Sequence, residues 1–233
     1  DVQCGHYQDV LHWNWKATQV DRKALDSIGV YNLYTGYRIH NYHFAVYGAM
    51  FLGQYEPAMR MAQELAEVTP EELLRVESPP FATFFESYFA LKVHVMIRFG
   101  RWKEIIEEPL PEDRLLWANL TATLHYAKGV AHAAIGEVPN AETEKTKFLT
   151  ARDVMPKDRR LHNVLCIDQL AVAEAMLEGE IEYRKGNYDF AYSRLRDAVV
   201  LEDTLPYDEP WGWMQPTRHA LGALLLEQGH VDE

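Results

Sequence analysis

Cysteine is scarce in this chain: Cys4 and Cys166 are the only two among 233 residues. Two thiols in distant segments cannot form the disulfide framework of a small secreted domain, and with no Cys-x-x-Cys spacing they do not make a structural zinc site. Both are read as reduced thiols. The sequence also lacks His-Glu-x-x-His, the phosphate-cradling Gly-x-x-x-x-Gly-Lys and the Gly-x-Ser-x-Gly nucleophile elbow. Neither cysteine has a neighbour suited to thiolate activation, so covalent catalysis has no visible nucleophile. No run approaches the roughly 18 apolar residues of a membrane span, and no secretory leader is visible, which makes a cytoplasmic location the default. Positive charge is also in short supply, with 23 Lys and Arg against 35 Asp and Glu and a net charge of −12. That balance argues against nucleic acid or an anionic membrane as partner, since both attract basic faces.

What the chain does have is a recurring punctuation. A glycine followed two residues later by an aromatic or branched residue appears at Gly5/Tyr7, Gly53/Tyr55, Gly100/Trp102, Gly136/Val138, Gly186/Tyr188 and Gly229/Val231. Each after the first follows an apolar stretch of helical period. A helix that stops and reverses within a few residues needs a position that tolerates positive φ, which glycine supplies without steric cost. Five residues after the glycine, Ala58, Ala141 and Ala191 leave room for two helices to approach, with Val10 and Ile105 in the same place elsewhere. Seven residues before it stand Val46, Val93, Gly129, Gly179 and Gly222. Such spacing predicts an all-α chain of helix hairpins, stacked as a right-handed α-solenoid.

Leu177, Gly179, Gly186, Tyr188 and Ala191, and again Leu221, Gly222, Leu225 and Gly229, resemble tetratricopeptide repeats. Three further stretches resemble an uncharacterised microbial subgroup of tetratricopeptide proteins: His40-Asn41-Tyr42-His43-Phe44, Arg98-Phe99-Gly100-Arg101-Trp102, and Glu209-Pro210-Trp211 with Arg218-His219-Ala220-Leu221-Gly222. The resemblance covers nearly the whole chain and implies a superhelix with a concave groove, but no particular reaction. Residues 1–233 read as one helical-repeat domain. Gly5 and Gly229 each read as the turn of an unfinished hairpin, so the chain is expected to be a fragment truncated at both ends, or to self-associate through its uncapped ends.

Hydrophobic period and breakers place helices at Tyr7–Asp26, Gly29–Leu52 with a break near Gly36, Glu56–Val68, a helix N-capped by Thr69, and Phe81–Phe99. Further helices follow at Trp102–Glu108, Asp113–Ile135, Asn140–Thr150, Leu161–Lys185, Tyr188–Val200 and Gln215–Gln228. Residues 151–160 read as irregular. The long loop Leu201–Met214, with Tyr207, Glu209, Trp211 and Trp213, reads as a lid or peptide contact, or else as a core seal.

If first helices face the groove, alignment on the turn glycines puts His40, His43, Tyr47, His94, Glu180 and His219 on one inner wall, with Arg218 and Trp211 beside it. His40 and His43, at i and i+3, project two imidazoles from one helix face and are the candidate metal ligands for zinc, copper or iron. A third ligand would have to come from His94, His219 or Glu180, since a catalytic centre of this kind usually has three. The leading expectation is a scaffold that binds a peptide, a partner protein or a small ligand in the groove, with Arg98 and Arg218 as partners for a carboxylate. The alternative is a metal-dependent enzyme with a histidine-ligated site in the same groove. Arg98, Arg101 and Trp102 are weighed as links between neighbouring repeats.

Overall fold

The computed structural model describes residues 1–233, and the architecture is all-α with one two-stranded ribbon. In chain order the helices are α1 (Tyr7–Ile28), α2 (Tyr34–Phe51), α3 (Tyr55–Val68), α4 (Glu71–Leu74), α5 (Phe81–Phe85), α6 (Leu91–Arg98), α7 (Trp102–Glu107), α8 (Ala118–Ala134) and α9 (Val138–Asp153). The ribbon β1 (Arg160–Leu161) and β2 (Val164–Leu165) follows, then α10 (Cys166–Arg184), α11 (Tyr188–Asp203) and α12 (Thr217–Glu227). Sequential helices pack on one another: α1 on α2, α2 on α3, α8 on α9 and α10 on α11, while α8 also meets α10 across the hairpins. No helix is long and apolar enough to cross a membrane.

The glycine punctuation has a geometric counterpart. Gly53, Gly100, Gly136, Gly186 and Gly229 all have φ between +63° and +84°. At each, the amide after the glycine reaches back five residues and the glycine amide reaches back three, as in Gln54 N to Ala49 O at 2.9 Å and Gly53 N to Met50 O at 3.2 Å. That pair of bonds is the Schellman closure of a helix C-terminus. The small residues five positions later, Ala58, Ala141 and Ala191, are fully buried where the hairpin closes.

Gly179 and Gly222 occupy equivalent places but differ in their surroundings. A Cβ on Gly179 would lie 2.7 Å from Leu195 Cγ and 3.2 Å from the Ala191 carbonyl oxygen, whereas one on Gly222 would meet nothing within 4 Å. Gly179→Ala is therefore expected to destabilise by about 1 kcal/mol or more, because overpacking outweighs the gain in helix propensity. Gly222→Ala should stabilise by up to ~1 kcal/mol. Urea unfolding of the two variants beside the parent checks both signs.

Several boundaries depart from the sequence reading. The expected helix Phe81–Phe99 is α5, a 3-10 stretch Glu86–Ala90, and α6. Glu86 lies in the tightened stretch and is fully buried. It accepts the Asn119 and Leu120 amides at 3.2 and 2.8 Å, and Arg159 Nη1 donates to it at 2.9 Å. A carboxylate at the N-terminus of α8 serves the free amides and positive dipole end found there. Burial pushes the Glu86 carboxyl up to about 7, against the downward pull of Arg159 and the two amides.

Thr69 is not an N-cap: Pro70 precedes the single turn of α4, and the Thr69 hydroxyl is buried without a partner. α2 begins at Tyr34 and runs through Gly36 unbroken. α8 begins at Ala118 because Asp113 turns the preceding segment, accepting the Leu116 amide at 3.1 Å and pairing with Arg75 at 3.0 Å. Residues expected at the start of a helix from Leu161 form the β-ribbon instead, and α9 and α11 run on to Asp153 and Asp203. Pro216 is the residue before α12 rather than within its first turn. Both cysteines are free; Cys166 is buried against the Ser87 hydroxyl at 2.9 Å, and burial pushes its thiol up to about 12.

Candidate functional site

The connection between α11 and α12, Thr204–Pro216, lies across the side chains expected to line an open wall. Met214 Sδ sits 3.1 Å from His43 Nε2. Trp213 is edge-on to His94, ring centroids 5.2 Å apart, and to Tyr126 at 5.6 Å. Trp211 stacks near Tyr47 at 6.0 Å. Gln215 donates to the His94 carbonyl at 3.0 Å. His43, Tyr47 and His94, from two different helices, thus meet one continuous segment of the same chain.

That segment divides the expected site residues among separate cavities. Tyr47, Trp211 and Arg218 line one of about 530 Å³ together with Tyr7, Phe51 and Glu202. There the Arg218 guanidinium is held by both Asp203 oxygens at 2.9 and 2.6 Å. His94, Glu180 and His219 line another of about 250 Å³. Glu180 pairs with Arg184 at 2.9 Å, and burial raises its carboxyl above the usual range. Arg98 sits 5.6 Å over the Phe51 ring, with its Nη1 3.4 Å from His219 Nδ1, while Arg101 lies 4.8 Å over Tyr55. These arginines join neighbouring helices.

Only His40, among the expected residues, opens into the cavity between the start of α2 and the α5 segment. His43, one turn on, points into the core, and burial drives its imidazole down to about 3, assisted by the neighbouring His40, His162 and His94. The same desolvation takes His94 down to about 4. Both are therefore neutral rings at neutral pH. The expectation that a third ligand converges on His40 and His43 is not met, since no group of three or more His, Cys, Asp or Glu side chains is gathered to hold an ion. The reason is the α2 packing: His43 faces Met214 and Tyr88, neither of which offers a carboxylate or imidazole.

The His40 cavity measures about 470 Å³ and is walled by Leu33, Tyr37, Phe81, Phe84, Phe85 and Tyr88. Its size is that of a small-molecule site, and its polar groups are few. His40 rests on Phe44, ring centroids 4.4 Å apart, and its pKa is lowered by burial and by the nearby His162. His162, at the two-residue turn between β1 and β2, faces it with centroids 6.1 Å apart. The backbone at His162 has φ of 51°, in a region that favours glycine and is sparsely used by other residues.

Asp208 holds that geometry. Its carboxylate pairs with His162 Nδ1 and accepts the Asn163 and Glu209 amides at 3.2 and 2.9 Å, while Asp208 itself is only 2% exposed. An acceptor already serving two amides requires the hydrogen of the third contact to lie on His162 Nδ1, so that in the neutral ring Nε2 is the lone-pair acceptor. His162 and Asp208 were not legible as a pair. They are 46 residues apart, and the only signal was the aromatic and acidic make-up of the loop that carries Asp208.

Comparison of the chain with protein-family models, curated proteins and solved structures found no match to any of the three.

Proposed function

We propose that this chain is a tetratricopeptide-like scaffold, its hairpins stacked as a superhelix with the first helices inward, and that it binds a small, largely apolar ring-bearing ligand in the His40 cavity. The turn glycines at repeating positions support the repeat reading. Ligand binding is supported above all by one observation: a cavity of about 470 Å³ with aromatic walls and two imidazoles at its edge. Aromatic enclosure with one or two placed polar groups is the composition by which proteins orient small molecules. A peptide or partner helix is the weaker occupant, because residues 204–216 already cover His43, Tyr47 and His94 and would have to be displaced.

Calorimetric titration with indole, a neutral planar probe, tests this reading. Saturable one-to-one binding is expected for the parent chain. Gly36 lines the cavity, and a Cβ there would lie 3.1 Å from the Phe85 ring, so Gly36→Leu should fill the space and weaken binding by about tenfold or more. Equal affinity of parent and variant, with both folded by circular dichroism, would move the ligand elsewhere.

A further inference from the structure

The His40 cavity presents a base. His162 is fixed through its Nδ1–H by a buried carboxylate, and its ring lines the edge of an apolar space, with Nε2 the nitrogen outside that bond. This is the orientation logic of a general base: the carboxylate sets the tautomer and stabilises the positive charge that appears when the imidazole gains a proton. An unusual backbone angle at the same residue, a nearly inaccessible Asp208 and a cavity of ligand size are three separate observations that coincide there. Across the opening, His40 has no carboxylate partner and is biased to the neutral form, so its ring can donate an N–H without adding charge.

We propose that the ligand of this cavity is a planar weak acid, a phenol or an enol, and that His162 takes its hydroxyl proton so that it is held as the oxyanion. The inference rests on the reading of the cavity as a ligand site. In the transfer the O–H bond of the ligand breaks, the proton goes to His162 Nε2, and the electron pair remains on the ligand oxygen. The resulting imidazolium lies between the oxyanion and Asp208, and a His40 N–H completes the oxyanion's contacts. The aromatic walls receive the ring and give it apolar contact area. Three other groups act on the same place: His43 behind His40, and Asp208 and Glu209, both of which favour positive charge on His40. His162 is the group that touches the ligand; Asp208 is a positioning residue.

The probe is 4-nitrophenol, whose phenolate is yellow and whose acid is not, titrated with the chain at a pH where the free probe is mostly the acid. Nitrobenzene, which lacks the hydroxyl, is the control, and its binding is followed by calorimetry. The parent chain should bring up the phenolate band in proportion to occupancy. His162→Asn, a residue that tolerates positive φ, should still bind nitrobenzene but lose the band, with affinity for the nitrophenol falling about tenfold or more, as expected for loss of a charge-assisted hydrogen bond. Asp208→Asn should shift the appearance of the band to higher pH while nitrobenzene binding persists.

A band that survives His162→Asn overturns the proposal. So does binding of both probes by the parent with no band at all, which leaves the cavity reading standing. If neither probe binds, both readings fall together.

Discussion

Trp213→Ala is expected to lower the free energy of unfolding by about 3–5 kcal/mol, the range for removing a buried aromatic side chain from a well-packed site. Trp213 lies in a connection without regular structure, and a surface loop would ordinarily tolerate its loss. Here the ring is 5% exposed, edge-on to both His94 of α6 and Tyr126 of α8. Its neighbours are anchored too: Met214 is 1% exposed against His43, and Gly212 is so close to the ribbon that a Cβ would fall 2.5 Å from Val164 Cγ2. Residues 212–215 thus act as an interior strut between helices distant in sequence. Tyr207, 70% exposed in the same connection, provides the contrast, and Tyr207→Ala should stay within about 0.5 kcal/mol of the parent. Urea denaturation at neutral pH distinguishes the two. If Trp213→Ala unfolds at the parent's midpoint, the connection is a loose cover rather than part of the core.

The second large effect is one of acid. His43 and His94 have folded-state pKa values of about 3 and about 4, against an ordinary value of 6.5. Folding therefore selects the neutral rings. The stability this contributes is fully present above 6.5 and is lost as pH falls towards 4, because the unfolded chain binds the protons that the core rejects. By pH 4.5 each histidine should have withdrawn about 2–3 kcal/mol.

Glu86 works the other way. Its carboxyl is raised from 4.5 to about 7, so its contribution is full below 4.5 and is lost as pH rises through 7. The net slope mixes the three groups, and a comparison isolates one of them. His43→Leu removes a single proton-rejecting ring, so its stability relative to the parent should improve by about 2–3 kcal/mol between pH 7.5 and pH 4.5. Chemical denaturation of both at the two pH values measures this. A constant difference would mean that His43 is protonated within the folded protein.

The helices were largely legible in the sequence because their signals are local. A turn glycine, a small residue five positions on and an apolar period all act within one hairpin, and the Schellman closures at Gly53, Gly100, Gly136, Gly186 and Gly229 are their direct outcome. The 3-10 stretch at Glu86–Ala90 was not legible. It goes with burial of a carboxylate that serves an N-terminus 33 residues away, a partner no local window contains. Counting back from the glycines singles out His43, Tyr47 and His94 together, while the sequence leaves the connection that meets them open between a lid and a core seal. Nothing in Pro210-Trp211-Gly212-Trp213-Met214 reveals that the Trp213 ring points inward while Trp211 stays partly in solvent. His40 was named for its spacing to His43, whereas its partner across the cavity is His162, set by the turn of a ribbon that the helical pattern concealed.

The most direct measurement of the central claim uses the histidine rings themselves. With the imidazole nitrogens labelled by 15N and followed by nuclear magnetic resonance as indole is added, the His40 and His162 signals should shift together and saturate. Those of His94 and His219, in a different cavity, should stay in place. Movement of His94 and His219 while His40 and His162 remain still would contradict the assignment of the ligand to the cavity between α2 and α5.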